Sequence, residues 1–276
     1  MIKISVIFYH AGYTDFMYSI TICYYDELNF FLAADQKNSD IHFVFSGRRS
    51  VKDLIESMGV PHVEVDLILV NGKPADFSYI VNDDDKISVY PESESSGISG
   101  VTGLRLSPLI ETRFVLDVHL RKLARNMRLL GFDADYADGR DDPVLAEISA
   151  RENRILLTCD RQLLMRKIVS RGIIIRSRDP DVQIIEVIER LHLHNFISPF
   201  IRCIECNGIL ESINMLSPEF NKEGSEIPEG VLSWCKEFFR CTSCRRIYWK
   251  GSHYDRLSLK IEKIMKRFGD YSKALQ

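Results

Sequence analysis

Three aspartates stand where chemistry would be expected. Asp117 closes the apolar run "FVLD", Asp142 stands directly before Pro143, and Asp160 closes "RILLTCD"; Asp179 and Asp181 follow "IIIRS". Each lies at a strand-to-helix boundary, and in an open parallel sheet such boundaries converge where ligands bind, outside the carboxyl ends of the strands. Aspartate is also a favoured helix N-cap, and Asp142 followed by proline reads as the cap of the next helix. Carboxylates gathered at one sheet edge repel one another unless a cation neutralises them. An oxygen-only set of this kind suits Mg²⁺ or Mn²⁺. Two such ions can activate a water and steady the leaving oxygen of a phosphodiester. Helix caps and metal ligands are therefore both open readings of these residues.

The segment after Asp117, "HLRKLARNMRLLGF", reads as an amphipathic helix over 119–130. Leu120, Leu123, Ala124, Met127 and Leu130 make its apolar face, while Arg121, Arg125 and Arg128 recur at i, i+4 and i+7. Arginine forks grip phosphates, so Arg121, Arg125 and Arg128 are a candidate contact to a phosphate backbone; a solvated helix face is the alternative. Cys159, one residue before Asp160 on a strand, is expected on the opposite face as buried filler. A catalytic thiol would need a histidine, for which only His119 is a spatial candidate.

Four of the seven cysteines, Cys203, Cys206, Cys241 and Cys244, form two C-x-x-C pairs. In a chain read as lacking a secretion signal, such pairs favour metal over disulfides. Four thiolates fill a tetrahedral Zn²⁺ completely, so this zinc is expected to be structural. Thirty-four residues separate the two pairs, which reads as an insertion between ribbon strands. Cys235, with its lone spacing, reads as core. Arg240, Arg245, Arg246, Tyr248, Trp249 and Lys250 surround the second pair, and basic residues interleaved with aromatics can stack on bases while holding a backbone. Ribbon core is the competing reading for Tyr248 and Trp249. A basic amphipathic helix, "RLSLKIEKIMKRF", follows.

The elements that must position these groups divide by composition. The 276 residues are 27% charged and 45% hydrophobic, without an apolar run long enough to span a membrane. The alternating start, "MIKISVIFYHAGYTDF", reads as a strand rather than a signal peptide, so the expected compartment is the cytoplasm. Residues 1–112 carry 8 Lys+Arg against 16 Asp+Glu, a balance of −8; residues 113–276 carry 28 against 23, a balance of +5. An acidic module thus precedes a basic one suited to a polyanion. In residues 1–91, Ser50 and Asp53 make a capping box, and Val51, Leu54, Ile55 and Met58 make one helix face. Strands flank an Asn71-Gly72 turn, so a small sheet grasping one helix is predicted. Residues 92–112, beginning "ESESSGISGVTG", read as a flexible linker. Residues 113–195 alternate strands and helices, which predicts a parallel sheet covered on both faces; residues 196–276 hold the ribbon and the last helix.

Two resemblances add to these readings. "SVKDLIESMGVPHVEVDLILVNGK" with "DKISVYP" resembles the ubiquitin-like β-grasp domains related to sulfur carriers. Those carriers act through a free Gly-Gly terminus, whereas here the chain continues past Pro91, so a protein-interaction role is expected. "FVLDVHLRKLARNMRLLGFD", "DDPVLAEISARENRILLTCD" and "DPDVQ" resemble, in order, the Mut-seven C-terminal ribonuclease family, a branch of the PIN-like nucleases. The resemblance implies a three-layer α/β ribonuclease with an N-terminal β-grasp domain and a C-terminal zinc ribbon. It implies that Asp117, Asp142 and Asp160 hold the catalytic metal and that Arg125 and Arg128 are the basic positions of the first helix; whether Asp179 or Asp181 adds a fourth ligand stays open. Cys159 stands where arginine is common in that family. The rival readings are a non-catalytic RNA-binding adaptor and an interaction scaffold built on the β-grasp domain.

Overall fold

The computed structural model describes residues 17–91, 104, 112–217, 220 and 227–269. The strand expected in residues 1–16 and the linker expected from residue 92 lie outside them, Leu104 and residue 112 excepted. Two compact units divide the chain, Met1–Pro108 and Leu109–Gln276.

In the first unit five strands form one sheet: β1 (Met17–Tyr24), β2 (Ile41–Ser46), β3 (Leu67–Val70), β4 (Lys73–Ala75) and β5 (Lys86–Tyr90). Their order is β2-β1-β5-β3-β4. β1 and β5 run parallel and every other pair is antiparallel. The helix α1 (Val51–Ser57) starts at Ser50, whose hydroxyl accepts from Asp53 N at 3.1 Å. Val51, Leu54 and Ile55 are fully buried, as their spacing requires. Met58 comes after the last turn and receives the Tyr24 hydroxyl on its sulfur at 3.4 Å. Asn71 and Gly72 both take positive φ, 51° and 76°, the primed turn whose twist matches a two-residue hairpin. This is the expected β-grasp arrangement of a sheet around one helix.

The second unit begins with four parallel strands, β6 (Arg113–Leu116), β7 (Asp133–Asp135), β8 (Ile155–Thr158) and β9 (Gly172–Ile174). Their order is β7-β6-β8-β9, so the connections leave in opposite directions on either side of the β6–β8 pair. The helices are α2 (Arg121–Leu129), α3 (Asp142–Glu152), α4 (Arg161–Leu164) and α5 (Pro180–Arg190). Phe114, Leu116, Ile155, Leu157 and Ile173 share one core with Leu123 and Met127 of α2 and with Ile184 and Val187 of α5. The expected apolar face of α2, Leu120 to Leu130, is buried throughout. Strand alternation turns Val115, Leu156 and Ile174 the other way, where α3 lies on β6 and β8 and α4 on β8 and β9. The result is the predicted three-layer sandwich.

A three-stranded antiparallel ribbon follows, β10 (Leu210–Ile213), β11 (Phe238–Cys241) and β12 (Ile247–Trp249), with a short helix α6 (Glu229–Leu232) before β11. Cys235 is buried with Phe220, Ile227 and Phe238 behind it, as its lone spacing suggested. The final helix α7 (Ser252–Met265) returns to the larger core through Ile261, Ile264 and Met265. Among the described residues no helix is long and apolar enough to cross a membrane.

Candidate active site

The β6–β8 pair is the topological switch point of the sheet, the place where an open parallel sheet leaves a crevice at its carboxyl edge. Asp117 follows β6 there. Its backbone N–H donates to Leu157 O at 3.0 Å, which prolongs the β6–β8 ladder by one bond. The side chain is 5% exposed. It accepts the Thr158 hydroxyl on Oδ2 at 2.7 Å and His119 N on Oδ1 at 3.4 Å, which caps the short 3-10 turn Val118–Leu120. Thr158 ends β8, is fully buried, and also accepts Asp160 N at 2.9 Å. One hydroxyl thus bridges the side chain of Asp117 and the backbone of Asp160. Asp160 itself is exposed and caps α4 through Gln162 N at 2.7 Å.

The remaining acids are placed less centrally. Asp141, rather than Asp142, caps α3, accepting Val144 N at 3.2 Å. Asp142 is the first helical residue and half-buried, because Pro143 is equally well accommodated one position further in. Asp179 caps α5 through Asp181 N, and Asp181 pairs with Lys260 of α7 at 2.6 Å. Among the described residues, the only group of three or more potential ligand atoms within reach of one ion is the four cysteines. Asp117, Asp142 and Asp160 therefore do not close on a common centre by themselves.

Three neighbours escaped the sequence reading. Thr158 was visible only as a lone hydroxyl at the end of an apolar strand. Glu186 of α5 turns back on the loop after β9, accepting Arg176 N at 3.2 Å. Arg178, exposed in the same loop, is close enough to act on Cys159. Cys159 is exposed, not buried filler. β8 stops at Thr158, so strand alternation no longer governs the next residue. Partial burial, then the negative charges of Asp117 and Glu186, push its thiol upward against the opposing charge of Arg178. A thiol held protonated in this way is a poor nucleophile.

The basic stripe divides. Arg121 is 62% exposed in its side chain and faces Asp138 at 3.8 Å; Arg125 is 41% exposed and pairs with Glu205 at 2.7 Å. Arg128 does not belong with them. It is 3% exposed, and its guanidinium donates to four carbonyls, those of Ala134, Ile204, Glu205 and Tyr136. On a nine-residue helix of 3.6 residues per turn, i+7 has drifted toward the core side, and here the first cysteine knuckle covers it.

Residues 112–261 match the family model of the Mut7-C RNAse domain, and residues 17–97 that of the Mut7-C ubiquitin domain. The chain belongs to the Mut7-C RNAse family. Among curated proteins and solved structures there is no significant match. The Mut7-C RNAse match runs from β6 through the ribbon into α7, so the family's domain includes the cysteine cluster.

That cluster has the geometry of a zinc ribbon. The four sulfurs lie within 4.8 Å of one another. Each knuckle is closed by the same backbone pattern: Cys203 N donates to Gly208 O at 2.7 Å, and Cys241 N to Arg246 O at 3.0 Å. The residues after the second cysteines, Asn207 and Arg245, both take positive φ. Gly208 has no room for a side chain, since a Cβ would lie 2.7 Å from Cys241 Sγ. Burial raises the Cys203 thiol, but donors from Tyr248 and the knuckle backbone outweigh it and bring it down to about 7. Cys244 is instead pushed up to about 12, first by burial and then by its neighbouring cysteines. Four thiolates this close need a cation to ionise together, and the sulfur-only donor set is the one zinc prefers.

Proposed function

We propose that this Mut7-C RNAse hydrolyses RNA phosphodiester bonds with Mg²⁺ or Mn²⁺ held at the carboxyl edge of the β6–β8 pair. The observation that carries the reading is the Thr158 hydroxyl, which joins Asp117 and Asp160 on the two strands that flank the switch point. Asp117 and Asp160 are the metal ligands, with Asp142 and Asp179 completing the acidic rim. Hard divalent ions commonly take one or two carboxylates and leave their other positions to water and substrate phosphate, so a rim that is not closed on itself suits them. The ion would polarise the attacking water and offset the charge of the phosphate. Thr158 fixes the rotamer of Asp117, Arg121 and Arg125 hold phosphates of the strand, and Arg178 brings positive charge beside Cys159. Zn²⁺ at Cys203, Cys206, Cys241 and Cys244 is structural, with no position open to substrate. The β-grasp unit is a protein-interaction module.

The separation of the aspartates favours one other reading, an RNA-binding adaptor that does not cleave. Asp160→Asn distinguishes the two. Asparagine caps a helix almost as well as aspartate, so the fold should persist and the melting temperature hardly move. Mn²⁺-dependent cleavage of a mixed-sequence RNA should be abolished. Cleavage at the wild-type rate by Asp160→Asn, or no response of the wild type to Mn²⁺, would leave the adaptor.

A further inference from the structure

A second feature of the RNase unit has no part in the aspartate edge. Between the ribbon, α7 and the end of α2 lies a cavity of about 130 Å³. Phe200, Phe239, Tyr248, Trp249 and Tyr254 supply its aromatic walls, with Leu129 at the end of α2. Its charged and imidazole groups are Arg202, Lys250 and His253, and no carboxylate lines it. The Arg202 guanidinium is held by Gly131 O, Asn207 O and Asp133, so the exposed Lys250 and His253 are the groups that can turn to an anion. Phe200 and Tyr254 are already stacked, with centroids 4.5 Å apart. The aromatic walls are only partly buried, so they meet solvent.

We propose that this cavity is a base-binding subsite for single-stranded RNA, which rests on the ribonuclease reading of the aspartate edge. A flat, π-faced ligand with an anionic tail is what aromatic walls under a cationic rim recognise, and an unpaired nucleotide has both parts. Lys250 now pairs with Glu237 at 2.6 Å, but its side chain is half exposed. Exposed pairs of this kind are weak and can be exchanged for a phosphate. The route to the chemistry is short. α2 starts four residues after Asp117 and ends at Leu129 in the cavity wall, about 13 Å of helix at 1.5 Å per residue. Arg121 and Arg125 lie between the two ends. A strand that places one base in the cavity and follows this helix brings its backbone to the acidic edge, so the subsite sets which phosphodiester is presented.

The chain has two tryptophans, Trp234 and Trp249, so Trp234→Phe leaves Trp249 as a single reporter in the wall. The full-length Trp234→Phe protein is titrated with oligoadenylate, without added Mg²⁺ or Mn²⁺, and against an abasic oligomer of equal length and charge. Saturable quenching by oligoadenylate and little by the abasic chain is expected. Tyr254→Leu keeps an apolar side chain on α7 while removing the ring, and should weaken binding about ten-fold; its melting curve shows whether the unit is intact. Equal binding of the abasic oligomer, or an unchanged affinity in a folded Tyr254→Leu protein, overturns the subsite. So does Trp249 emission that changes with protein concentration alone, which would make the face a self-association surface. Cleavage with no response at Trp249 removes the subsite and leaves the nuclease. Quenching without Mn²⁺-dependent cleavage leaves the subsite and removes the nuclease.

Discussion

At the scale of single residues, the aspartate edge depends on a side chain that carries no charge. Thr158 is fully buried and is used twice, as donor to Asp117 and as acceptor of Asp160 N–H. Thr158→Val keeps the shape but leaves both partners unsatisfied, which should cost about 1–3 kcal/mol of stability. Groups that orient metal ligands typically change activity by about 10–100-fold when removed. A loss of that size in Mn²⁺-dependent cleavage is expected, with Thr158→Ser recovering most of it. Activity that falls only in step with stability would make Thr158 a packing residue. Asp117 and Asp160 could be picked from the sequence because a carboxylate after an apolar run is conspicuous. Thr158 could not, because a threonine is at home in any strand and only the pairing of β6 with β8 brings it to Asp117.

At the scale of elements, α2 shows how one periodic stripe acquires two roles. Arg125→Gln should lower the slope of log affinity against log salt by about one, as expected for one lost phosphate contact. Arg128→Met should leave that slope unchanged and destabilise the unit by about 3 kcal/mol, since it strips donors from the buried Ala134 carbonyl and three partly buried ones. Salt titrations and melting curves of the two variants separate the roles. β7 provides a pH-dependent counterpart. Burial tends to raise the Asp133 carboxyl, but Arg154 at 2.7 Å and Asn207 at 2.8 Å overcome it and hold it below the usual carboxylate range. A depressed folded pKa contributes stability above the unfolded value of about 3.9 and loses it as pH falls through the folded one. Asp133→Asn should therefore be less stable than wild type at pH 7 by about 1–3 kcal/mol. That difference should shrink on acidification below about pH 4; a constant gap from neutral to acid pH would assign the loss to packing instead.

At the scale of the whole chain, the cysteine cluster joins the ribbon to the nuclease sandwich. Asn207, directly after the first knuckle, accepts Ala134 N at 3.1 Å and covers the open edge of β7, while Arg128 reaches the knuckle carbonyls from α2. About one Zn²⁺ per chain is expected by elemental analysis, with binding coupled to folding. Chelation should unfold the ribbon and also lower the melting temperature of the α/β sandwich, because β7 loses its cover. The transition of the β-grasp unit, a separate compact body, should stay where it is. Four freely reactive cysteines in protein purified without chelator would contradict the zinc assignment.

The sequence by itself determined what is local or periodic. The cap at Ser50, the Asn71-Gly72 hairpin, the apolar face of α2 and the two C-x-x-C knuckles each depend on residues a few positions apart, so short-range sterics and spacing make them legible. The alternation of strands and helices was enough for a parallel sheet with two covered faces. Only the tertiary structure decided what depends on neighbours distant in the chain. It moved the cap of α3 to Asp141, exposed Cys159 once β8 had ended, and turned Arg128 inward against a knuckle more than seventy residues away. It also chose the strand order that sets Asp117 beside Thr158 and Asp160. The physical reason is the same in each case: a charged or polar side chain has several local conformations of similar energy, and burial against a partner from elsewhere in the chain selects among them.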